Sequence, residues 1–445
     1  MDPSRCTTKR YRRLIEPDVA TTRRNAAGRV VVAVVVVSAF GALFAHVYRE
    51  SIAAVIEWFG DSRNPTAAAG SLPWWVTALI VTGGLVLASE LAYRVHCRRG
   101  QRVGFEAIAA AARGEGVGPD VRCTLARAGA TWVAMSGLAS LGREAPILET
   151  GGSVGAYVGG KLRLSTAHLA VVGVAAGFAS AYHAPAAAVF YVREHVVPGA
   201  RWRVTAYAAV GAALGFVGVA LVFHSKAPFP RAHHPFSASS LTLVAIGLVP
   251  AYLAARGFFA LRHRVINPNT WFLRHRRAVA FTAAATAGVL IASMPLTSGN
   301  GMDLIRRGAV ESTVAIGALL LVGKLAATLA CLGSGAPGGV FSPSLCIAAG
   351  AGLLMYRVPF VEHLVHNADA RWDAMLVLMA VAVVIGTRSP GTAILIVPEL
   401  AGDLRLLPVT IVAVGLTLLL DDVAAHLITR TTAIINSRGR GDLDA

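Results

Sequence analysis

From 30 to 47 the chain reads VVVAVVVVSAFGALFAHV, with no charged residue. As a helix this run is long enough to cross the hydrocarbon core of a bilayer. Comparable runs recur at 74–87, 204–223, 241–255, 278–295, 376–385 and 407–420. Each is continuous, without the apolar–polar alternation of a membrane barrel strand. In lipid the backbone must satisfy itself, so only helices or closed barrels span. The expected fold class is therefore an all-α, polytopic membrane protein. Charge content agrees: 15% of residues are charged, against about a quarter in soluble domains.

The chain carries a formal charge of +17, which in a soluble protein would suggest a nucleic-acid partner. Placement argues otherwise. Lys9, Arg10, Arg12, Arg13, Arg23, Arg24 and Arg29 precede the first apolar run, and Arg94, Arg98, Arg99, Arg102, Arg262, Arg264, Arg274, Arg276 and Arg277 fill connections. Cations flanking spans predict a multi-pass protein of the cell (inner) membrane with a cytoplasmic N-terminus. They also favour contact with anionic lipid and attract small anions. No nucleic-acid partner is expected. Five scattered cysteines, Cys6, Cys97, Cys123, Cys331 and Cys346, lack metal spacing, so no metal or other cofactor is predicted.

The organisation reads as a basic cytoplasmic tail over 1–28, a membrane transport domain over 29–436 and a short tail over 437–445. The polar stretch 225–240 reads as a loop. Glycine and proline interrupt apolar surroundings at 142–155, 333–350 and 387–399. Irregular backbone at membrane depth is tolerated where it lines a cavity, and paired breaks in two halves of a chain mark transporter sites. The halves show no strong self-similarity overall.

The first break is Gly142-Arg143-Glu144-Ala145-Pro146, followed by Gly151-Gly152. Pro146 suits a first helical turn, which places Glu144 at a helix N-terminus, where free N–H groups and the dipole favour negative charge. A carboxylate there occupies the place of an anion; the plainer role is a capping acid. The second break, Gly333-Ser334-Gly335-Ala336-Pro337-Gly338-Gly339-Val340-Phe341-Ser342-Pro343, strips side chains from backbone amides ahead of another helix. That is anion-site chemistry; close helix packing is the rival. A nucleotide P-loop is excluded, since the Gly-Lys-Ser/Thr ending is missing.

These stretches resemble the chloride channel (CLC) family. GREAP is similar to its GREGP motif and GSGAPGGVFSPSL to its GxFxP motif. FASAYHAPAAAVFYVREH, TSGNGMDLI at 297–305 and TRSPGTAILIVPELAGD at 387–403 follow in the family's order. The resemblance implies many tilted and broken helices in two inverted halves, a homodimer with one ion path per subunit, and both termini cytoplasmic. It implies that small anions and protons are the transported species. It makes Glu144 the gate and external proton site. Arg143, Ala145, Gly339, Val340 and Phe341 become anion-binding positions, and Glu194 the internal proton site. Arg193 stands where the family often has an acid, and a cation there favours a charged Glu194.

Two departures stand out. The family's GSGIP motif belongs about forty residues before GREAP, where this chain reads CRRGQRVGF, with no serine. The pore tyrosine's position falls on Thr429, or on Thr431 with a small gap. Both side-chain ligands of the anion are therefore missing or replaced, and Thr429 is the remaining hydroxyl candidate.

The expected function is proton-coupled exchange of chloride or a related small anion. One alternative is a passive anion channel gated by Glu144; another is a transport-dead member serving as a scaffold. An enzyme is not expected. HExxH is absent, and the GxSxG letters at 151–155 lack the strand that a nucleophile elbow needs. Lys324 is either an anion counter-charge or a snorkelling or paired cation. Glu90, His183 and Glu399 either join a proton path or, as the plainer role, serve structural hydrogen bonding. Trp74-Trp75 read as interfacial anchors.

Overall fold

The computed structural model describes residues 23–99, 104–115, 118–199, 201–266, 274–365 and 367–441. Among these the chain is helical, its one extended pairing a single antiparallel bridge. Seven segments are long and apolar enough to cross a membrane: Ala27–Ser71, Trp74–Arg94, Trp202–Val222, Ala238–Ile266, Val314–Gly333, Asp369–Thr387 and Leu404–Leu427. Their environments differ. Asp369–Thr387 is 83% buried, while the other six lie between 28% and 44%. A helix apolar all round sits in a core or faces lipid; here one span is the hub and six present apolar flanks outward.

The expected tail boundary at 28 falls inside a helix. The first helix, α1, runs Arg23–Gly60, because nothing between Arg23 and the valine run breaks it. At the other end the last helix runs Leu407–Gly441 and passes position 436 without a Gly or Pro to stop it. Trp74 and Trp75, at the start of Trp74–Arg99, are more than half exposed, as interfacial anchors should be.

Short helices fill the interior. In chain order they include α2 (Glu144–Lys161), α3 (Thr166–Tyr182), α4 (Pro185–Tyr191), α5 (Phe341–Tyr356) and α6 (Pro390–Ala401). Helix α4 continues into a π-helical turn, Val192–Val196. Small residues let α2 and α3 touch: a methyl on Gly155 would fall inside the Leu169 carbonyl, and one on Gly173 inside that of Gly151. This explains the GxSxG letters. Ser153 is buried in mid-helix, far from the strand-to-helix turn a nucleophile requires.

The polar loop at 225–240 is tied to the hub. Buried Asp373 accepts from His233 N at 2.8 Å and His234 N at 2.7 Å. The bridge pairs Gly142 with Gly339: Gly142 N donates to Gly339 O at 2.7 Å, and Gly339 N to Gly142 O at 2.8 Å. The two sequence breaks therefore meet, and the N-termini of α2 and α5 lie side by side.

Candidate anion-binding site

Four buried helices start with a proline in the first turn. Pro146 and Pro343 are third in α2 and α5, and Pro185 and Pro390 are first in α4 and α6. The first N–H groups of any helix lack intrahelical acceptors and need partners when buried. None of the four N-cap residues, Arg143, Val340, Ala184 and Ser389, caps with its own side chain. Two of the four are satisfied from outside. Glu399, near the end of α6, accepts from Ala186 N and Ala187 N, both at 2.8 Å. Glu194, just past the end of α4, accepts from Gly391 N at 2.8 Å and Thr392 N at 3.0 Å, and from Thr392 Oγ1 at 3.1 Å. The helices α4 and α6 thus cap each other with a carboxylate at equal spacing, Pro185 to Glu194 and Pro390 to Glu399.

The N-termini of α2 and α5 receive no such carboxylate from another helix among the described residues. The one acid present is Glu144, the first residue of α2. It is 4% exposed. Its Oε1 accepts from Asn300 Nδ2 at 2.8 Å, while Oε2 is buried without a hydrogen-bond partner. An ionised oxygen left unpaired in a buried site is costly. A proton or a displacement of the carboxylate relieves that cost. The bridge holds Ala145 close to Gly339, since a methyl on Gly339 would stand 3.4 Å from Ala145 Cβ. Arg143, Ala145, Gly339, Val340 and Phe341 are brought together here. The arrangement is two positive helix ends side by side, with a tethered carboxylate at one of them.

Asn300 joins the site from the TSGNGMDLI motif, whose letters alone give this residue no role. Its amide is fixed at both ends, since Oδ1 accepts from Met302 N at 3.3 Å. The loop that carries it is pinned by Lys324, which is fully buried and donates to Thr297 O at 2.8 Å and Gly299 O at 2.6 Å. Lys324 therefore has a structural partner set. So do Glu90, bonded to Arg276 at 2.8 Å and Arg94 at 3.1 Å, and His183, whose Nε2 lies 2.8 Å from Ser225 Oγ.

On one side Glu144 closes a cavity of about 110 Å³ lined by Arg49, Arg63, Arg143, Lys226, Arg306 and Asp303, among others. Five cations against two carboxylates make it a positive vestibule, which concentrates anions. On the other side the rings of Phe178, Tyr182 and Phe341 cluster, Tyr182 lying 5.0 Å from Phe341 and 4.8 Å from Phe178. Phe178 also packs 4.8 Å from Tyr191, and Tyr191 5.1 Å from His195. His195 Nδ1 sits 3.1 Å from Thr387 O, and burial pushes its pKa below the usual imidazole value.

Glu194 is thus placed at the α6 cap, next in sequence to His195, where the aromatic column from Phe341 ends. The Thr429 side chain lies outside the described residues, as do residues 100–103 of the stretch lacking the family serine. Among the described residues no cluster of side chains could hold a metal.

A family model described as voltage gated chloride channel matches residues 84–422. A ClcB-like chloride channel protein of Ralstonia nicotianae is 32% identical over 334 residues, 71% of this chain and 75% of its own. An H(+)/Cl(-) exchange transporter ClcA of Klebsiella pneumoniae is 27% identical over 63% of this chain. The alignment spans 62% of that transporter, less than two thirds of its length. A slow cyanobacterial Cl-/H+ antiporter superposes with a TM-score of 0.71 at 22% identity, over 87% of this chain and 94% of its own. A CLC-type fluoride/proton antiporter gives 0.65 at 18% identity, over 89% and 96%. The fold, the order of the motifs and the matched length agree: the chain belongs to the voltage-gated chloride channel family.

Proposed function

We propose that the protein exchanges a small anion, chloride first, for protons across the cell membrane, as a homodimer with one path per subunit and cytoplasmic termini. The observation that carries this reading is the pair of bridged helix N-termini with Glu144 as their one resident acid. A mobile anion and the Glu144 carboxylate compete for the same dipole-favoured place. Protonation removes the carboxylate's claim, so each proton taken up admits an anion. The exchanger and antiporter relatives support the proton-coupled form. The inner proton step is assigned to the turn Val192–Val196, which carries Glu194 and His195.

The passive channel is the second reading, and one observation favours it: three donors hold Glu194 in place as a cap. Flux from purified vesicles separates the two. With chloride, nitrate and fluoride tested in turn, an exchanger lets an anion gradient drive protons against their own gradient. Anion flux that never moves protons uphill would establish the channel.

A further inference from the structure

The α6 N-terminus shows what this protein builds when a carboxylate fills such a site. Two backbone N–H groups, Gly391 and Thr392, are joined by a first-turn hydroxyl, Thr392 Oγ1, and all three converge on Glu194. The α5 N-terminus has the same parts without the carboxylate. Its first-turn hydroxyl belongs to Ser342, which is fully buried and whose Oγ has no hydrogen-bond partner. The contrast within one helix is sharp, because Ser344 Oγ donates back to Phe341 O at 2.7 Å. An unpaired hydroxyl in a membrane interior is a cost unless something visits it.

Tyr182 faces this point from the last residue of α3. It is 2% exposed, its ring packs on Phe341, and its hydroxyl interacts with the Ser342 side chain. Two hydroxyls, each able to donate, thus flank a helix N-terminus whose N–H groups await an acceptor. Glu144 Oε2 is the other unpartnered buried oxygen among these site residues: Ser342 is a hydroxyl without a partner and Glu144 an acceptor without a donor.

We propose that Ser342 and Tyr182 donate their hydroxyls to the anion at the α5 N-terminus, supplying the side-chain ligands that the sequence lacks at the family's usual positions. The proposal rests on the transport reading above and names the donors at that same site. It removes the main argument for a transport-dead scaffold. The anion's shell here comes from α3 and the first turn of α5, so it does not depend on Thr429.

The test is chloride titration of the full-length protein in detergent by calorimetry, with chloride flux in vesicles and thermal melting without chloride. Losing a hydrogen bond to a charged ligand weakens binding about tenfold or more. Y182F and S342A are each expected to lower chloride affinity by about that factor, while S342T, which keeps a hydroxyl, stays within about threefold. S342A is also expected to leave the chloride-free melting temperature unchanged, because its hydroxyl holds nothing together in the empty site. A loss of melting temperature with unchanged affinity would assign Ser342 to structure and overturn the proposal. If Y182F does not fold, the S342A and S342T pair decides alone. Unchanged affinity in the variants, with wild-type protein that binds and transports chloride, overturns this proposal and leaves the transport reading intact. Wild-type protein that neither binds nor transports chloride, nitrate or fluoride overturns both.

Discussion

Gly142 and Gly339 exchange both of their backbone hydrogen bonds, at 2.7 and 2.8 Å, and so join two halves of the chain at one point. The register is symmetric: each glycine stands four residues before a proline, Pro146 and Pro343, and two before Glu144 and Phe341. Neither glycine tolerates a side chain easily. A methyl on Gly142 would stand 2.8 Å from Glu144 Oε2 and 2.9 Å from Gly339 O, while one on Gly339 would stand 3.1 Å from Gly142 O. G142A is therefore expected to be the more damaging, at about 1–3 kcal/mol for overpacking, and to weaken anion binding by parting the two helix ends. Melting and anion titration of both variants check the order; a harmless G142A would remove the bridge from the account.

Asn300 holds Glu144 at 2.8 Å in a buried hydrogen bond. Removing the donor leaves Glu144 with a second unpaired oxygen, which favours its departure or protonation. N300A is expected to raise anion flux severalfold and to admit anions without protons, lowering the proton-to-anion ratio. Lys324 acts one step back through Thr297 O and Gly299 O, so K324M is expected to reproduce the effect at a cost in stability. Flux and stoichiometry measured together check this. Loss of flux with an unchanged ratio in N300A would contradict it.

The inner turn offers two protonatable groups with different duties. Glu194 caps α6, so E194Q is expected to destabilise by about 1–2 kcal/mol and to leave some proton movement. H195F leaves that cap intact and removes the imidazole that packs on Tyr191, and is expected to reduce proton movement more than anion flux. Proton movement abolished in E194Q at unchanged melting temperature would assign the inner proton step to Glu194 alone.

Much of this was legible in the sequence, because lipid permits so few solutions. The apolar runs dictate helices, and glycines with prolines at 142–146 and 333–343 mark where two of them begin. The reciprocal capping was present in the letters too. PAAAVFYVRE from Pro185 and PGTAILIVPE from Pro390 match in length, apolar pattern and final acid, a local repeat that comparing whole halves dilutes. Glu399 and Glu194 then read as paired caps, each meeting the other helix. Asn300, Tyr182 and Ser342 were not legible as site residues. Each is an ordinary residue type whose meaning comes from what folding brings beside it, and no spacing along the chain encodes that. The bounds at 28 and 436 fall inside helices for a plainer reason: polar composition marks the edge of the membrane, whereas a helix continues until something breaks it.

Acid should act in one direction. Protonating Glu144 frees the bridged N-termini for an anion, so anion flux is expected to rise as pH falls on the vestibule side, and E144Q to be fast at every pH. Flux recorded against pH on each side of oriented vesicles checks the sign, and a rate that falls with acid there would reverse the assigned role.

In the proposed cycle one carboxylate and one mobile anion contend for the same two helix ends. The most direct test of that competition follows protons and chloride together in vesicles containing wild-type or E144Q protein under a chloride gradient. Wild-type protein is expected to move protons uphill, and E144Q to pass chloride without proton movement. Uphill proton movement that survives in E144Q would contradict it.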